Sequence, residues 1–271
     1  MNQNEKAQLF ADLHKKGVPV VLYNAWDAGS AKTIASAGAK AIATSSWSVA
    51  EAQGYQDGEM IPVEFAQQIY ARIAATVDVP LSVDFEGGYG ESENEVASNI
   101  TRLIGLGVVG INFEDRVVKG SGLYDVKRQA ARISAIRKAA EKNGVRLFIN
   151  ARTDLFFQEG DPAQYMDEAL ERAKAYAAAG ASGFFVPGLM NLALIEHLSI
   201  TVPLPVNIMV MDGVPSNDEL VGHGVSRISY GPIPYIQAME ALKNLANNVL
   251  SSAKSGDPLR AWSDAAVDLK E

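Results

Sequence analysis

The sequence predicts a (β/α)8 barrel, and three observations lead to this fold class. The chain has 271 residues, a length that such barrels often occupy as one domain. Eight short runs of apolar, β-prone residues recur along it, and most are separated by segments with helical spacing of apolar residues. Several helical segments stop at a glycine suited to a helix cap, as at Gly38, Gly107 and Gly180. This repeated unit favours a closed parallel barrel, and a doubly wound open sheet is the alternative.

The predicted elements alternate in a regular order. A lead-in helix over residues 1–16 comes first, because Leu9 and Leu13 recur at helical spacing. The predicted strands cover residues 19–24, 41–46, 81–86, 110–114, 147–152, 183–187, 205–210 and 227–229. The predicted helices between them cover residues 29–37, 62–77, 93–106, 126–142, 162–179, 191–198 and 216–222.

The C-terminal residues 235–271 exceed what a barrel needs. A long helix is predicted over 235–250, with Ala238, Leu242 and Leu245 on one apolar stripe, and a short second helix over 259–269. Such an extra helix is commonly buried against a neighbouring subunit, and packing under its own barrel is the alternative. We therefore expect one domain over 1–271, with the lead-in helix, the barrel and this helical extension.

The composition excludes several classes of function. Lys and Arg number 24 against 32 Asp and Glu, a net charge of -8, and no basic stripe indicates a nucleic-acid partner. The absence of cysteine excludes disulfides, thiolate metal sites and cysteine nucleophiles. The first residues do not resemble a signal peptide, and no apolar run reaches the length of a membrane span. We expect a cytoplasmic protein with no membrane partner.

Acidic residues gather at the predicted C-terminal strand ends, where barrels carry their active sites. Alternation along the third strand places Asp84 and Glu86 on one face, and Glu114 ends the fourth strand. Like charges so close raise each other's pKa unless a cation lies between them. We expect Asp84, Glu86 and Glu114 to hold Mg²⁺ or Mn²⁺, partly through water, and solvated acids at a strand end are the alternative.

Other strand ends carry groups suited to an organic anion. Arg152 on the fifth strand is expected to clamp a carboxylate, and a salt bridge to Asp154 or Glu114 is the alternative. The turn after the second strand offers backbone amides for an oxyanion. For Asn24 and Asn150, tying the loop backbone is the alternative to contacting the ligand. The candidate substrate-binding residues are Asn24, Ser45, Ser46, Trp47, Asp84, Arg152 and Asn207.

The strand-end motifs, in this order, resemble those of the isocitrate lyase and phosphoenolpyruvate mutase superfamily over about residues 17–240. The resemblance implies magnesium near Asp84, Glu86 and Glu114, and a 2-oxo acid or its enolate chelated to that metal. It also implies that Arg152 grips the substrate carboxylate, that Ser46, Trp47 and Asp57 face the reacting end, and that Asn207 binds the substrate. It further implies a homotetramer built from dimers that exchange a C-terminal helix. The motifs span residues 24–31, 82–90, 110–115 and 148–154.

One departure from the family leaves the reaction open. Its isocitrate and methylisocitrate lyases carry a lid cysteine that handles the proton, whereas the corresponding segment here, residues 116–124, contains no cysteine. The members that process phosphonopyruvate carry a lysine and an asparagine in this lid; Lys119 corresponds to the lysine, and nothing clearly corresponds to the asparagine. The catalytic candidates are Asp57, Lys119 and Arg152. Tyr23 and Tyr89 are further candidates for the proton step.

The expected function is that of a magnesium-dependent lyase. It would cleave a C–C bond of a 2-oxo or 2-hydroxy carboxylic acid through a metal-stabilised enolate, with residues 116–124 closing as a lid. A phosphonopyruvate mutase or hydrolase acting on a C–P bond is the nearest alternative. A non-catalytic binder of small dicarboxylates is the third.

Overall fold

Eight parallel strands form the barrel in the computed structural model, which describes residues 1–252. They are β1 Val20–Leu22, β2 Ile42–Ala43, β3 Leu81–Asp84, β4 Gly110–Glu114, β5 Phe148–Arg152, β6 Gly183–Phe185, β7 Val206–Met209 and β8 Arg227–Ser229. Each strand from β2 to β8 pairs with the next, and β8 pairs with β1. A parallel bridge between Ala25 and Thr44 joins the ends of β1 and β2. The sheet therefore closes, which confirms the predicted barrel and excludes an open sheet.

Helices surround the sheet, and their order confirms the predicted alternation. The α-helices of residues 1–252 are α1 Gln3–Asp12, α2 Ala28–Ser36, α3 Ser46–Ala52, α4 Val63–Ala74, α5 Glu93–Gly105, α6 Val126–Lys142, α7 Met166–Ala178, α8 Leu192–Thr201, α9 Asn217–Gly222 and α10 Ile233–Ser252. Residues 162–165, predicted as the start of a helix, form a 3-10 turn before α7, and a second 3-10 turn spans Leu155–Phe157. The helix predicted over 259–269 lies outside the described residues. None of the described helices is long and apolar enough to cross a membrane.

Side-chain alternation along the strands separates an apolar layer from a polar one. Ile111 and Phe113 of β4 are fully buried, and both Phe113 and Val96 of α5 approach Gly88 so closely that a Cβ there would lie 2.9 Å from the Phe113 ring and 3.2 Å from Val96. Burying side chains of this size stabilises the fold by roughly 1.5–3 kcal/mol each. Asn112 and Glu114, the alternate residues of the same strand, point into the barrel instead, because successive strand side chains face opposite sides.

The lead-in helix α1 closes the end of the barrel opposite the C-terminal strand ends. Phe10 packs edge-on against Phe148, and His14 stacks on Phe148 with ring centroids 4.0 Å apart. The His14 Nδ1–H donates to the carbonyl of Phe10 at 2.7 Å, which leaves Nε2 enclosed and without a partner. Burial, and then the nearby Arg227 charge, lower the pKa of His14 to about 3. His14 is therefore a neutral core residue away from the strand ends.

Candidate functional site

A cavity of about 180 Å³ opens at the C-terminal ends of the strands. Seven of the predicted site residues line it, namely Asn24, Ser45, Ser46, Trp47, Asp57, Asp84 and Arg152. Glu86, Glu114, Lys119 and Asn207 do not contribute to the lining. The lining also includes Asn112, Phe185, Met209, Ser229, Gly231 and Pro232, which were not among the predicted site residues. Asn112 lies on the same face of β4 as Glu114, so strand alternation is a signal that could have found it, whereas apolar residues such as Phe185 carry no such signal.

Ser46 and Asp84 are hydrogen-bonded to each other in the wall of this cavity. The segment 45–47, predicted as a polar turn, is the beginning of α3, with the Ser45 side chain capping the helix. The backbone N–H and the hydroxyl of Ser46 both donate to Oδ2 of Asp84, at 3.2 and 2.9 Å. The other oxygen, Oδ1, is buried and has no partner. Because an unpaired buried carboxylate oxygen is costly, this atom suits a cation.

Glu86 belongs to a closed network of three residues rather than to β3. The strand was predicted to reach Glu86 but ends at Asp84. Glu86 accepts from the Glu59 backbone N–H at 2.7 Å and from the Tyr89 hydroxyl at 3.3 Å, and Glu59 Oε1 accepts from the Tyr89 backbone N–H at 2.7 Å. These three are the non-glycine residues with positive φ in the described chain, at 58°, 48° and 54° for Glu59, Glu86 and Tyr89. Such backbone is strained unless its surroundings fix it, and here the hydrogen bonds do so.

Arg152 is held between two acidic residues. Its Nε and Nη2 donate to Asp154 at 2.6 and 3.0 Å, and its Nη1 lies 3.1 Å from Glu114. Both salt bridges that the sequence left open are therefore made. Burial alone would lower the pKa of Arg152, but Glu114 and Asp154 offset it and raise the pKa well above its ordinary value. A guanidinium carries five N–H groups, so others remain available at the cavity that Arg152 lines.

The acids around Asp84 outnumber Arg152, the cation that pairs with them. Burial raises the pKa of Glu86 to about 9, and Asp57, Glu114 and Asp84 add to the effect. Burial and the neighbouring Asp84 also raise the pKa of Asp57, although part of this residue is exposed to solvent. Burial raises the pKa of Glu114 too, against the opposing charge of Arg152. A cation among these groups would relieve both burial and repulsion.

The positions of the acidic side chains limit how many of them could bind such a cation directly. Within residues 1–252, no three acidic or histidine side chains are arranged to hold one ion together. Magnesium commonly keeps several waters and takes only one or two carboxylates as direct ligands. The unpartnered Oδ1 of Asp84 fits one direct ligand, and the nearby acids fit hydrogen bonding to its waters.

Lys119 lies in a separate cleft of about 310 Å³ between residues 116–119 and the segment after β3. Glu59, Tyr89 and Arg132 line the same cleft. Val118, which lines this cleft, covers Gly58 and Gly87. A Cβ added to Gly58 would lie 3.8 Å from one Val118 methyl group, and a Cβ added to Gly87 would lie 2.9 Å from the other. Tyr23 also lies outside the Asp84 cavity, with its hydroxyl donating to Gln237 at 2.8 Å.

The asparagines at the strand ends make different hydrogen bonds within the protein. Asn24 donates to the Thr44 carbonyl and accepts from the N–H groups of Tyr230 and Gly231, so it ties three loop segments together. Asn207 is fully enclosed beneath the cavity, where its Oδ1 accepts from Ser229 at 3.2 Å. Asn150 donates to Asn112 at 2.9 Å.

A closed parallel barrel whose strand ends carry clustered acids and one arginine is typical of enzymes that act on small anionic molecules. The comparisons narrow this class to one family. The family model for phosphoenolpyruvate phosphomutase matches residues 10–250, so the chain belongs to the phosphoenolpyruvate mutase family within the isocitrate lyase superfamily. The predicted resemblance is thereby confirmed.

Relatives extend over most of the chain. The Mycobacterium tuberculosis H37Rv protein Rv1998c is 34% identical over 242 residues, covering 89% of this chain and 88% of its own. The 2-methylisocitrate lyase of Escherichia coli K12 is 32% identical over 188 residues, covering 66% and 62%. The relatives with named activities are lyases and mutases of this family, so the protein is an enzyme.

Solved structures show the same fold. A putative phosphonomutase from Burkholderia cenocepacia J2315 has a TM-score of 0.89 and 47% identity, covering 91% of this chain and 99% of its own. Phosphonopyruvate hydrolase, in a complex with oxalate and Mg²⁺, has a TM-score of 0.82 at 19% identity, covering 100% and 92%. The second likeness concerns the fold alone.

Proposed function

We propose that the protein is a magnesium-dependent lyase that cleaves a C–C bond of a 2-oxo or 2-hydroxy carboxylic acid. The observation that carries the proposal is the buried, unpartnered Oδ1 of Asp84, which lies in a cavity that also presents Arg152. A cation at Asp84 and a guanidinium nearby together match a bound 2-oxo carboxylate. The phosphonopyruvate hydrolase of similar fold was crystallised with such an anion, oxalate, and with Mg²⁺.

The chain's own residues divide the work of holding the metal. Asp84 is the direct ligand in this proposal, and Ser46 fixes the orientation of its carboxylate. Glu86, Glu114 and Asp57 act through water, because no described group of three acids converges on one point. When bound, magnesium supplies Lewis-acid stabilisation of the negative charge that develops on an enolate oxygen.

Arg152 grips the substrate carboxylate with the N–H groups that Asp154 and Glu114 leave free. These two acids hold the guanidinium in place before the substrate arrives, so that little reorganisation is needed at the moment of reaction. Asn24, Ser45 and Trp47 complete the wall of the cavity.

Asp57 is our candidate for the proton step. Its carboxyl lies in the cavity, its pKa is raised, and no salt bridge within the described chain occupies it. Lys119 reaches the same cavity only if residues 116–124 move, since it now lines the neighbouring cleft. We assign residues 116–124 the role of a lid that excludes water from the enolate.

A second candidate function changes the bond and keeps the site. The 47% identical relative carries the name phosphonomutase, which favours mutase or hydrolase chemistry on the C–P bond of phosphonopyruvate. The metal and Arg152 would serve the same 2-oxo carboxylate in either reaction.

The proposed assembly is a cytoplasmic homotetramer in which α10 packs against a neighbouring subunit. Leu242, Leu245 and Leu250 of α10 are exposed by 59%, 64% and 71% in the single chain. Exposed apolar side chains in a row of this kind are typical of an interface.

The deciding experiment is an assay of the purified protein with Mg²⁺ on oxaloacetate, on 2-methylisocitrate-type acids and on phosphonopyruvate. Turnover of a C–C substrate that stops in chelator and in Asp84→Ala supports the lyase, and turnover of phosphonopyruvate alone supports the second candidate. Tight oxalate binding with no turnover of any of them would instead indicate the non-catalytic binder.

A further inference from the structure

Arg227 is a cation buried in the interior of the barrel, beneath the cavity. It is 0% exposed, and none of the carboxylates in residues 1–252 forms a salt bridge with it. Its Nε donates to the Ser229 hydroxyl at 3.0 Å and its Nη2 donates to Oδ1 of Asn112 at 3.2 Å. An uncompensated buried charge is costly, so a fold that keeps one has a use for it.

The contact with Arg227 settles which way the Asn112 amide points. A guanidinium can only donate, so the atom of Asn112 that faces it is the oxygen. The same oxygen accepts a second hydrogen bond from the Asn150 amide at 2.9 Å. The Asn112 nitrogen makes no hydrogen bond to the protein and is not among the enclosed polar atoms, so it retains access to the cavity that Asn112 lines.

Asn112 is also next to the proposed metal ligand. It pairs with Asp84 across β3 and β4, and both side chains line the cavity. An oxygen bound beside Asp84 would therefore lie near two outward-facing N–H bonds of a neutral amide. Behind that amide, the Arg227 charge polarises the N–H groups in a low-dielectric interior, which strengthens a hydrogen bond to an anion.

We propose that Asn112 binds an anionic oxygen of the substrate and that Arg227 is a positioning residue that fixes the Asn112 amide in the donating orientation. The inference rests on the proposed function for the identity of the ligand, a 2-oxo carboxylate or its enolate. It adds to that function a neutral hydrogen-bond donor, the Asn112 amide, in the same cavity as the charged Arg152.

A double-mutant cycle on oxalate binding in Mg²⁺, measured by calorimetry, tests the coupling. Asn112→Ala and Arg227→Met are each expected to raise the oxalate Kd about 10-fold or more, the effect of losing one hydrogen bond to a charged group. In the Asn112→Ala background, Arg227→Met should change the Kd by less than about 2-fold, because Arg227 acts through the amide. Arg227→Lys, which keeps the charge and a donor, should recover part of the affinity.

If Asn112 had only a structural role, Asn112→Ala would weaken Mn²⁺ binding as well as oxalate binding. The proposal predicts a loss of oxalate binding alone. The Mn²⁺ affinity of Asn112→Ala should match that of the unaltered protein, since the metal ligands are untouched. An unchanged oxalate Kd in Asn112→Ala, or an equal loss from Arg227→Met in both backgrounds, would overturn the inference.

Neutron diffraction from deuterated, ligand-free crystals tests the orientation without any ligand. Deuterons on the Asn112 atom that faces the cavity would support the inference even if oxalate failed to bind, an outcome that would contradict the proposed function alone. An oxygen facing the cavity would overturn the inference whatever the binding data show.

Discussion

Ser46 donates two hydrogen bonds to one oxygen of Asp84, at 3.2 Å from its backbone N–H and at 2.9 Å from its hydroxyl, and leaves the other oxygen without a partner. The first turn of α3 thereby fixes the carboxylate at the end of β3. Because Ser46 uses only one oxygen, the other, which is buried, keeps its full capacity to bind a cation.

Removing the Ser46 hydroxyl should weaken metal binding without unfolding the protein. Ser46→Ala loses one of the two donors that orient Asp84, and outer-shell losses of this kind typically cost about 10-fold in metal affinity. Mn²⁺ binding followed by electron paramagnetic resonance measures the effect. Ser48→Ala is the matched control, because the Ser48 hydroxyl is buried in the same helix and has no partner. Equal Mn²⁺ affinities for the two variants would count against the orienting role.

Glu59 should support the metal site from outside it. Glu59→Ala removes the acceptor for the Tyr89 N–H and loosens the network that fixes Glu86, so we expect Mn²⁺ affinity to fall about 10-fold. Glu59→Gln keeps an acceptor in the same place and should remain close to the unaltered protein. Glu91→Ala, which removes an exposed acid two residues after Tyr89, controls for the loss of charge. A loss in Glu59→Gln as large as that in Glu59→Ala would show that charge matters, not positioning.

Gly87 should be required for the observed conformation of residues 116–124. A Cβ at residue 87 would lie 2.9 Å from Cγ2 of Val118 and 3.1 Å from Oε1 of Glu59. Gly87→Ala is expected to displace the segment and to lower kcat/KM on the order of 10-fold, since a displaced lid admits water. The double variant Gly87→Ala/Val118→Ala restores the space at Val118 and should recover part of the activity. Full activity in Gly87→Ala would contradict this role of the segment.

His14 should make the protein sensitive to acid. In the unfolded chain it takes up a proton near pH 6.5, whereas burial keeps it neutral in the fold until about pH 3. Between these values the unfolded state binds more protons, so the free energy of unfolding falls as the pH falls, by up to about 1.4 kcal/mol per pH unit.

His14→Asn isolates this contribution from that of the acids. It keeps a donor for the Phe10 carbonyl and removes the titration, so the difference in unfolding free energy between the two proteins should shrink as the pH falls from 6.5 towards 4. Urea unfolding at several pH values measures it. A difference that stays constant with pH would contradict a neutral, buried His14.

The sequence predicted the barrel well because strand alternation and helix periodicity are local signals. β4 and β8 have the predicted bounds, and the acids of β3 and β4 could be placed at one end of the sheet from alternation alone. Glu86 was placed wrongly in β3, because its positive φ depends on distant hydrogen bonds with Glu59 and Tyr89. Helix α3 was read as a turn, because its Ser-Trp-Ser start has low helix propensity and the segment is only 7 residues long.

Local sequence patterns could not predict which groups each side chain contacts in the fold. Arg152 is the last residue of β5 and Lys119 follows β4, yet Arg152 lines the cavity and Lys119 lines a separate cleft. The conformation of residues 116–124 decides this, through the contact of Val118 with Gly58 and Gly87. The hydrogen bond from Arg227 to Asn112 joins residues that are 115 positions apart in sequence, so no local pattern could predict it.

The most direct test of the account is calorimetric titration of oxalate with and without Mg²⁺ in the unaltered protein and in Asp84→Asn. Asparagine keeps an acceptor for Ser46 while it removes the charge at the metal. We predict oxalate binding in Mg²⁺ that weakens by about 100-fold or more in chelator and in Asp84→Asn, with an unchanged melting temperature. Oxalate binding that is equally tight without the metal, or in Asp84→Asn, would contradict a metal site centred on Asp84.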